Sequence, residues 1–109
     1  MAIDKSLMQG SLAMLILRLL EEKDMYGYEM IDTLRGRSNN VFELKAGSLY
    51  PLLHSLEEKG YVTSYEDDSS GKTRKYYRIS GDGKRFLKET KEEWEVYSTA
   101  VCSVLTLAY

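Results

Sequence analysis

The sequence predicts a mainly α chain with one small β-hairpin, an α+β arrangement that ends in a long helix. Three observations carry this reading. Apolar residues recur at spacings of three and four in four separate stretches, as one face of a helix requires. A run rich in Tyr, Val and Thr and a basic Tyr-Tyr run flank the turn-forming segment Asp67-Asp68-Ser69-Ser70-Gly71. Beyond Ser80 the helical spacing continues to the last residue. Three helices, a strand, a turn, a returning strand and a long helix follow the order of a winged helix-turn-helix with a C-terminal extension.

The first helix is expected over residues 5–22, with Met8, Leu12, Leu15, Ile16, Leu19 and Leu20 on one side. Glu21-Glu22-Lys23-Asp24 makes a polar break. A second helix is expected from about Tyr26 to Arg37, burying Tyr26, Met30, Ile31 and Leu34; Gly36 and the stretch to Asn40 end it. Val41, Phe42 and Leu44 suit a very short extended piece. The third helix spans 46–60, AGSLYPLLHSLEEKG, with Leu49, Leu52, Leu53 and Leu56 on its buried face. Ser48 or a residue just before it is the expected cap. Pro51 requires that the helix begin within a turn upstream, because proline lacks an N–H and clashes deeper inside. Gly60 fits the position just past the end. Strands are expected over 61–65 and 73–79, with Tyr76 and Tyr77 on opposite faces. Ser80 should cap the last helix.

The third helix has two faces with different work. Tyr50, Pro51 and His54 fall opposite the leucines, where an ordinary surface helix would carry Lys and Glu. A helix start also offers free N–H groups to phosphate or base acceptors. Charge points the same way. The chain carries −2 overall, yet residues 69–88 hold Lys72, Arg74, Lys75, Arg78, Lys84, Arg85 and Lys88 against Asp82 alone, a local +6 that leaves −8 for the rest. A basic strip on an acidic body can grip phosphates while the body limits indiscriminate sticking. Together these features predict a chain that reads double-stranded DNA.

The last helix, about 28 residues and roughly 42 Å long, is longer than a small three-helix core can cover. Leu87, Thr90, Trp94, Tyr97, Val101, Val104 and Ala108 repeat by threes and fours, a heptad seam with a polar break at Thr90. A second copy of the chain is the simplest cover, so Leu87, Trp94, Tyr97, Val101, Val104 and Ala108 are the expected dimer contacts. A two-fold dimer would also match a palindromic site. The division that follows is 1–79 as the DNA-binding domain and 80–109 as the dimerisation helix.

Other classes are excluded or disfavoured. At 109 residues the chain reads as one domain with 43% hydrophobic residues. No apolar run approaches the roughly 18 residues of a membrane span. Arg18 interrupts the N-terminal apolar stretch, which lacks a basic start and a cleavage site, so a signal peptide is not expected and a cytoplasmic place is. Cys102 is the only cysteine and His54 the only histidine, so no disulfide, metal site or cofactor is expected. Cys102 should be a small buried hydrophobe. No pair of residues forms a catalytic constellation, and an enzyme is not expected. The alternative to a DNA reader is a winged-helix protein-interaction module, which the acidic total favours and the basic strip disfavours.

Four pieces in order resemble the PadR family of bacterial transcriptional regulators. They are Tyr26-Gly27-Tyr28-Glu29-Met30, Gly47-Ser48-Leu49-Tyr50-Pro51-Leu52-Leu53, Leu56-Glu57-Glu58-Lys59-Gly60 and Arg74-Lys75-Tyr76-Tyr77-Arg78-Ile79-Ser80. The short C-terminal region resembles the branch that ends in a single dimerising helix. The resemblance implies a dimeric repressor that leaves an inverted-repeat operator when an inducer binds. By position, Ser48, Tyr50, Pro51 and His54 would face the major groove, and Lys72, Thr73, Arg74 and Lys75 would touch backbone or minor groove. Lys45 and Tyr28 are further expected contacts. His54 departs from the basic or polar residue implied at its position. Some relatives hold planar aromatic compounds between the terminal helices. By that analogy Trp94, with Thr90 and Tyr97 beside it, would form a clamp for an aromatic inducer, although a seam Trp is read first as packing.

Overall fold

In the computed structural model, which describes residues 5–106 and the side chains of 11–106, four helices enclose a core closed on one side by a three-stranded sheet. The elements are α1 Lys5–Glu22, β1 Met25–Tyr26, α2 Gly27–Arg37, α3 Ala46–Glu58, β2 Val62–Asp67, β3 Arg74–Ile79 and α4 Gly81–Thr106. Met8 and Ala108, expected on helix faces, lie outside the side chains described. Ile16, Leu17, Met25, Met30, Leu49, Leu53 and Val62 form the fully buried centre. Each comes from the apolar face of its own element, so the spacing that builds the helices also fills the interior. No helix among the described residues is long and apolar enough to cross a membrane.

The hairpin gains a third strand, one residue of which, Tyr26, is expected from the sequence to open the second helix. Met25 and Tyr26 pair antiparallel with Tyr77 and Tyr76, giving the strand order β1-β3-β2. Tyr26 is extended (φ −92°, ψ 168°) and stands just before α2, not within it. Two residues are too few to show a period of two, which is why periodicity alone misses the strand. In β3, Tyr77 and Ile79 face the core while Arg74, Tyr76 and Arg78 face outward.

The helix ends follow backbone chemistry. Asn39 (φ 52°) and Asn40 (φ 67°) take the left-handed conformation just after the end of α2. The segment after them is irregular, not extended: Leu44 is buried, Phe42 packs on the core and Val41 is exposed. Lys45, not Ser48, is the cap of α3, and its carbonyl accepts from the N–H groups of Ser48 (3.0 Å) and Leu49 (2.9 Å). The helix starts at Ala46, the residue expected, five positions before Pro51 and so a little over one turn upstream. The carbonyl deprived of its partner by Pro51 is that of Gly47, in an exposed first turn where water can serve it.

At the other end of α3, Tyr61 N–H donates to Leu56 O (2.9 Å) and Gly60 N–H to Glu57 O (3.0 Å). With Gly60 at φ 79° this is a Schellman ending, which turns the chain directly into β2. Ser80 caps α4 as expected: its hydroxyl accepts from Gly83 N–H at 3.0 Å and its carbonyl from Lys84 N–H at 3.0 Å. Gly83 is buried against the Tyr61 carbonyl, and the Tyr61 and Phe86 rings stack 4.5 Å apart. These contacts fasten the first turns of α4 to the winged domain.

Candidate nucleic-acid interface

Opposite its buried leucines, α3 exposes Gly47, Ser48, Pro51, His54 and Glu58. Lys45, also exposed, stands at the helix start. Of the leucines, Leu49, Leu53 and Leu56 are buried and Leu52 only partly so. His54 Nε2 lies 3.1 Å from Glu58 Oε1, one helical turn on, and both side chains are about as open as a surface allows. The outer face of α3 therefore carries a hydroxyl, a ring and a His–Glu pair, able to donate and accept at base edges. Glu58 escapes the sequence reading, although its place four residues after His54 is the signal that links them.

Tyr50 stands apart from that group. It is 41% exposed, and its ring lies over Gly27 in the first turn of α2. Its phenol is held above the ordinary range by burial first, then by the neighbouring Tyr28 and Tyr77. Tyr28 is 63% exposed at the same helix start. The two tyrosines and the open first turn of α2 thus border α3 on one side, and no side chain caps that turn. Gly27 is a residue whose role sequence reasoning does not find, because nothing local announces that a tyrosine 23 positions away will need its space.

The expected wing contacts do not form one cluster. Lys72 and Thr73 lie exposed in the loop between β2 and β3. Arg74 and Lys75 then diverge, because neighbouring strand residues point to opposite faces. The Arg74 guanidinium lies 4.5 Å over the Tyr26 ring on the outer face. The Lys75 ammonium reaches 5.6 Å from the Tyr77 ring on the core side. Arg78, which contributes to the basic strip in the sequence, is bound up: its guanidinium pairs with Asp24 at 3.0 Å, and its Nε donates there at 3.1 Å.

The putting-together of the C-terminal stripe is also uneven. Leu87, expected at the dimer seam, is 4% exposed and packs on its own core. Thr90 is half-buried, whereas Trp94 (45%), Tyr97 (64%) and Val104 (70%) are open. The Trp94 and Tyr97 rings are 6.1 Å apart and tilted by 34°. Cys102, expected to be buried, is exposed. Its helix has by then run past the domain that would have covered it. Among the described residues no group of three or more His, Cys, Asp or Glu could hold a metal ion.

The arrangement is that of a winged helix with an open helix face and a basic hairpin, and comparison with known proteins decides the family. The model of the transcriptional regulator PadR-like family matches residues 16–89. The chain belongs to that family. This PadR-like chain is similar to a Lysinibacillus sphaericus protein designated "Uncharacterized protein X", with 42% identity over 93 residues that cover 84% of this chain and 85% of that protein. Its fold is similar to a PadR-like transcriptional regulator of Bacillus cereus (TM-score 0.84, 30% identity, 95% of this chain and 100% of that one). It is also similar to a PadR family transcriptional regulator of Eggerthella lenta (TM-score 0.82, 35% identity, 94% and 88%). A PadR-like chain is a transcriptional regulator, not an enzyme.

Proposed function

We propose that this regulator is a repressor that binds an inverted-repeat operator as a homodimer, in the short PadR branch with a single C-terminal dimerisation helix. The observation that carries the reading is the surface of α3, which leaves Ser48, Pro51 and His54 open opposite leucines buried to 2% exposure or less. A helix anchored so firmly on one side and bare on the other is suited to lie in a major groove. Base edges would be met by Ser48, Tyr50, Pro51 and His54. Phosphates would be met by Lys45, Tyr28, Lys72, Thr73, Arg74 and Lys75, which position the protein without reading sequence.

Residues 1–79 form the DNA-binding domain in this reading, and 80–109 the dimerisation helix. Support for pairing comes from the apolar stripe of α4, which its own domain leaves bare from Trp94 onward. Trp94 and Tyr97 would then meet their two-fold copies, and with Thr90 they would frame a slot for a planar aromatic inducer.

The test is recovery of sheared host DNA on the purified protein, followed by sequencing of the bound fragments. A shared two-fold symmetric motif upstream of a few genes supports the reading. Fragments with no common motif, or none retained at physiological salt, would favour an interaction module instead. Aromatic compounds that release the recovered operator would support the inducer slot, and release unchanged in Trp94→Ala would remove it.

A further inference from the structure

The chain has six arginines, and five of them reach a carboxylate. Arg18 pairs with Glu21 and Glu22, Arg35 with Asp32, Arg37 with Glu22, Arg78 with Asp24 and Arg85 with Asp82. Among the described residues Arg74 alone does not; its guanidinium rests on the ring of Tyr26, 4.5 Å from the centroid. A carboxylate stands nearby in the sheet, because Asp67 is the direct cross-strand partner of Arg74. Asp67 is turned to the loop instead, where its Oδ1 accepts the Ser69 N–H at 2.8 Å. The fold thus turns away from Arg74 the carboxylate directly across the sheet from it.

We propose that Tyr26 is a positioning residue for DNA binding, its ring holding the Arg74 guanidinium in place for a phosphate without discharging it. This rests on the reading in which the wing touches the DNA backbone. A carboxylate partner would fix the guanidinium but consume its charge and its N–H donors. An aromatic face attracts the cation through its quadrupole and leaves the N–H edge directed outward. That edge is the part that meets phosphate in a forked pair.

The seat is itself braced. Tyr26 packs edge-on to Tyr76 at 5.4 Å, and Tyr76 stacks on Tyr65 at 5.8 Å, in one row across β1, β3 and β2. The Tyr65 hydroxyl donates to Asp24 Oδ2 at 2.6 Å, which ties the far end of the row to the segment between α1 and β1. Three rings and a carboxylate therefore define where the Tyr26 face points.

The experiment combines duplex titrations with an NMR measurement on the DNA-free protein. In the wild type, Arg74 side-chain protons should be displaced upfield by the Tyr26 ring current; ordinary shifts would overturn the proposal without any variant. Tyr26→Leu should weaken binding to target and random duplex about three-fold, the scale of one cation–π contact. Tyr26→Phe, which keeps the ring, should bind as the wild type does. In an Arg74→Ala background, Tyr26→Leu should cost nothing further, although it would lower the melting temperature equally in both backgrounds. An equal loss of affinity in both backgrounds would make Tyr26 merely structural and overturn the proposal, with DNA binding by the wing left standing. A wild type that binds no duplex would overturn the functional reading and this inference together.

Discussion

The hydroxyl end of Tyr50 lies against the Cα of Gly27, so α3 is braced on the first turn of α2. A methyl group on Gly27 would fall 2.8 Å from Tyr50 Cζ. The tyrosine that the sequence places on the reading face of α3 is thus half committed to packing. Its ring helps set the angle between the two helices, and only its outer edge is open.

Gly27→Ala and Gly83→Ala should behave differently. At Gly27 the obstacle is the end of a partly exposed side chain that can swing away, and alanine suits a helix better than glycine by up to about 1 kcal/mol. Stability should change by less than about 1 kcal/mol, while DNA affinity falls as Tyr50 is displaced. At Gly83 the obstacle is the Tyr61 backbone carbonyl together with Ile79, which cannot move away alone. Overpacking there should cost about 1–3 kcal/mol. Urea midpoints for both variants, beside operator titrations, check the contrast.

Acid should weaken the fold in part through Asp24. Burial pushes its carboxyl up, but hydrogen bonds from Tyr65 and Arg78 outweigh that and hold it below the ordinary carboxylate range. A group depressed in the folded state stabilises above its unfolded value, about 3.9, and loses that contribution as pH falls through the folded value. Asp24→Asn should therefore be less stable than the wild type at pH 7 and nearly equal to it near pH 2. Glu22, depressed by the Arg37 hydrogen bond despite opposing burial, and Asp67, depressed by Ser69, act in the same window. Some acid sensitivity should remain in the variant, as denaturant midpoints from pH 7 to pH 2 would show.

Lys72→Ala should weaken binding to every duplex alike and lower the slope of log affinity against log salt by about one. Lys72 is exposed in the hairpin loop, and no carboxylate among the described residues pairs with it. Titrations at four salt concentrations suffice. A parallel line displaced to lower affinity would mean that Lys72 acts on the fold and not on phosphate.

His54→Ala should reduce discrimination more than general affinity. The side chain pairs with Glu58 and is 75% exposed, so the fold should melt within about 0.5 kcal/mol of the wild type. Competition between operator and random duplex measures the ratio directly. An equal loss on both would move His54 from the base-reading group to the backbone-binding group.

Val104→Asp tests what covers α4. Val104 is 70% exposed and does not reach its own core. A charge there should leave the winged domain folded but shift a dimer to monomer in sedimentation at micromolar concentration. Operator affinity should fall with it, because two half-sites would no longer be read as one unit.

Helices and hairpin are legible in the sequence because their apolar periods are long enough to repeat. The boundaries 5–22, the Ser80 cap and the Gly60 ending all follow from local chemistry, and the structure has them. β1 is not legible, since a two-residue strand is made by its partner Tyr76 and not by its own pattern. The same limit applies to the site. That Ser48, Pro51 and His54 are exposed follows from the leucine face. That Tyr50 leans on Gly27, that Asp67 turns away from Arg74 and that Leu87 belongs to the core are tertiary facts. Each depends on residues distant in sequence, which spacing along one element cannot register.

The terminal helix has two kinds of support along its length. Near Gly83 and Leu87 it is held by the domain, while from Trp94 to Thr106 its own hydrogen bonds are the main restraint. An isolated stretch of about 12–15 residues is only marginally helical in water. A solitary copy would therefore carry a fraying tail, open to proteases, that a paired copy hides. Under that arrangement the half-life of the regulator would lengthen as its own abundance rises, and orphan chains would be cleared first.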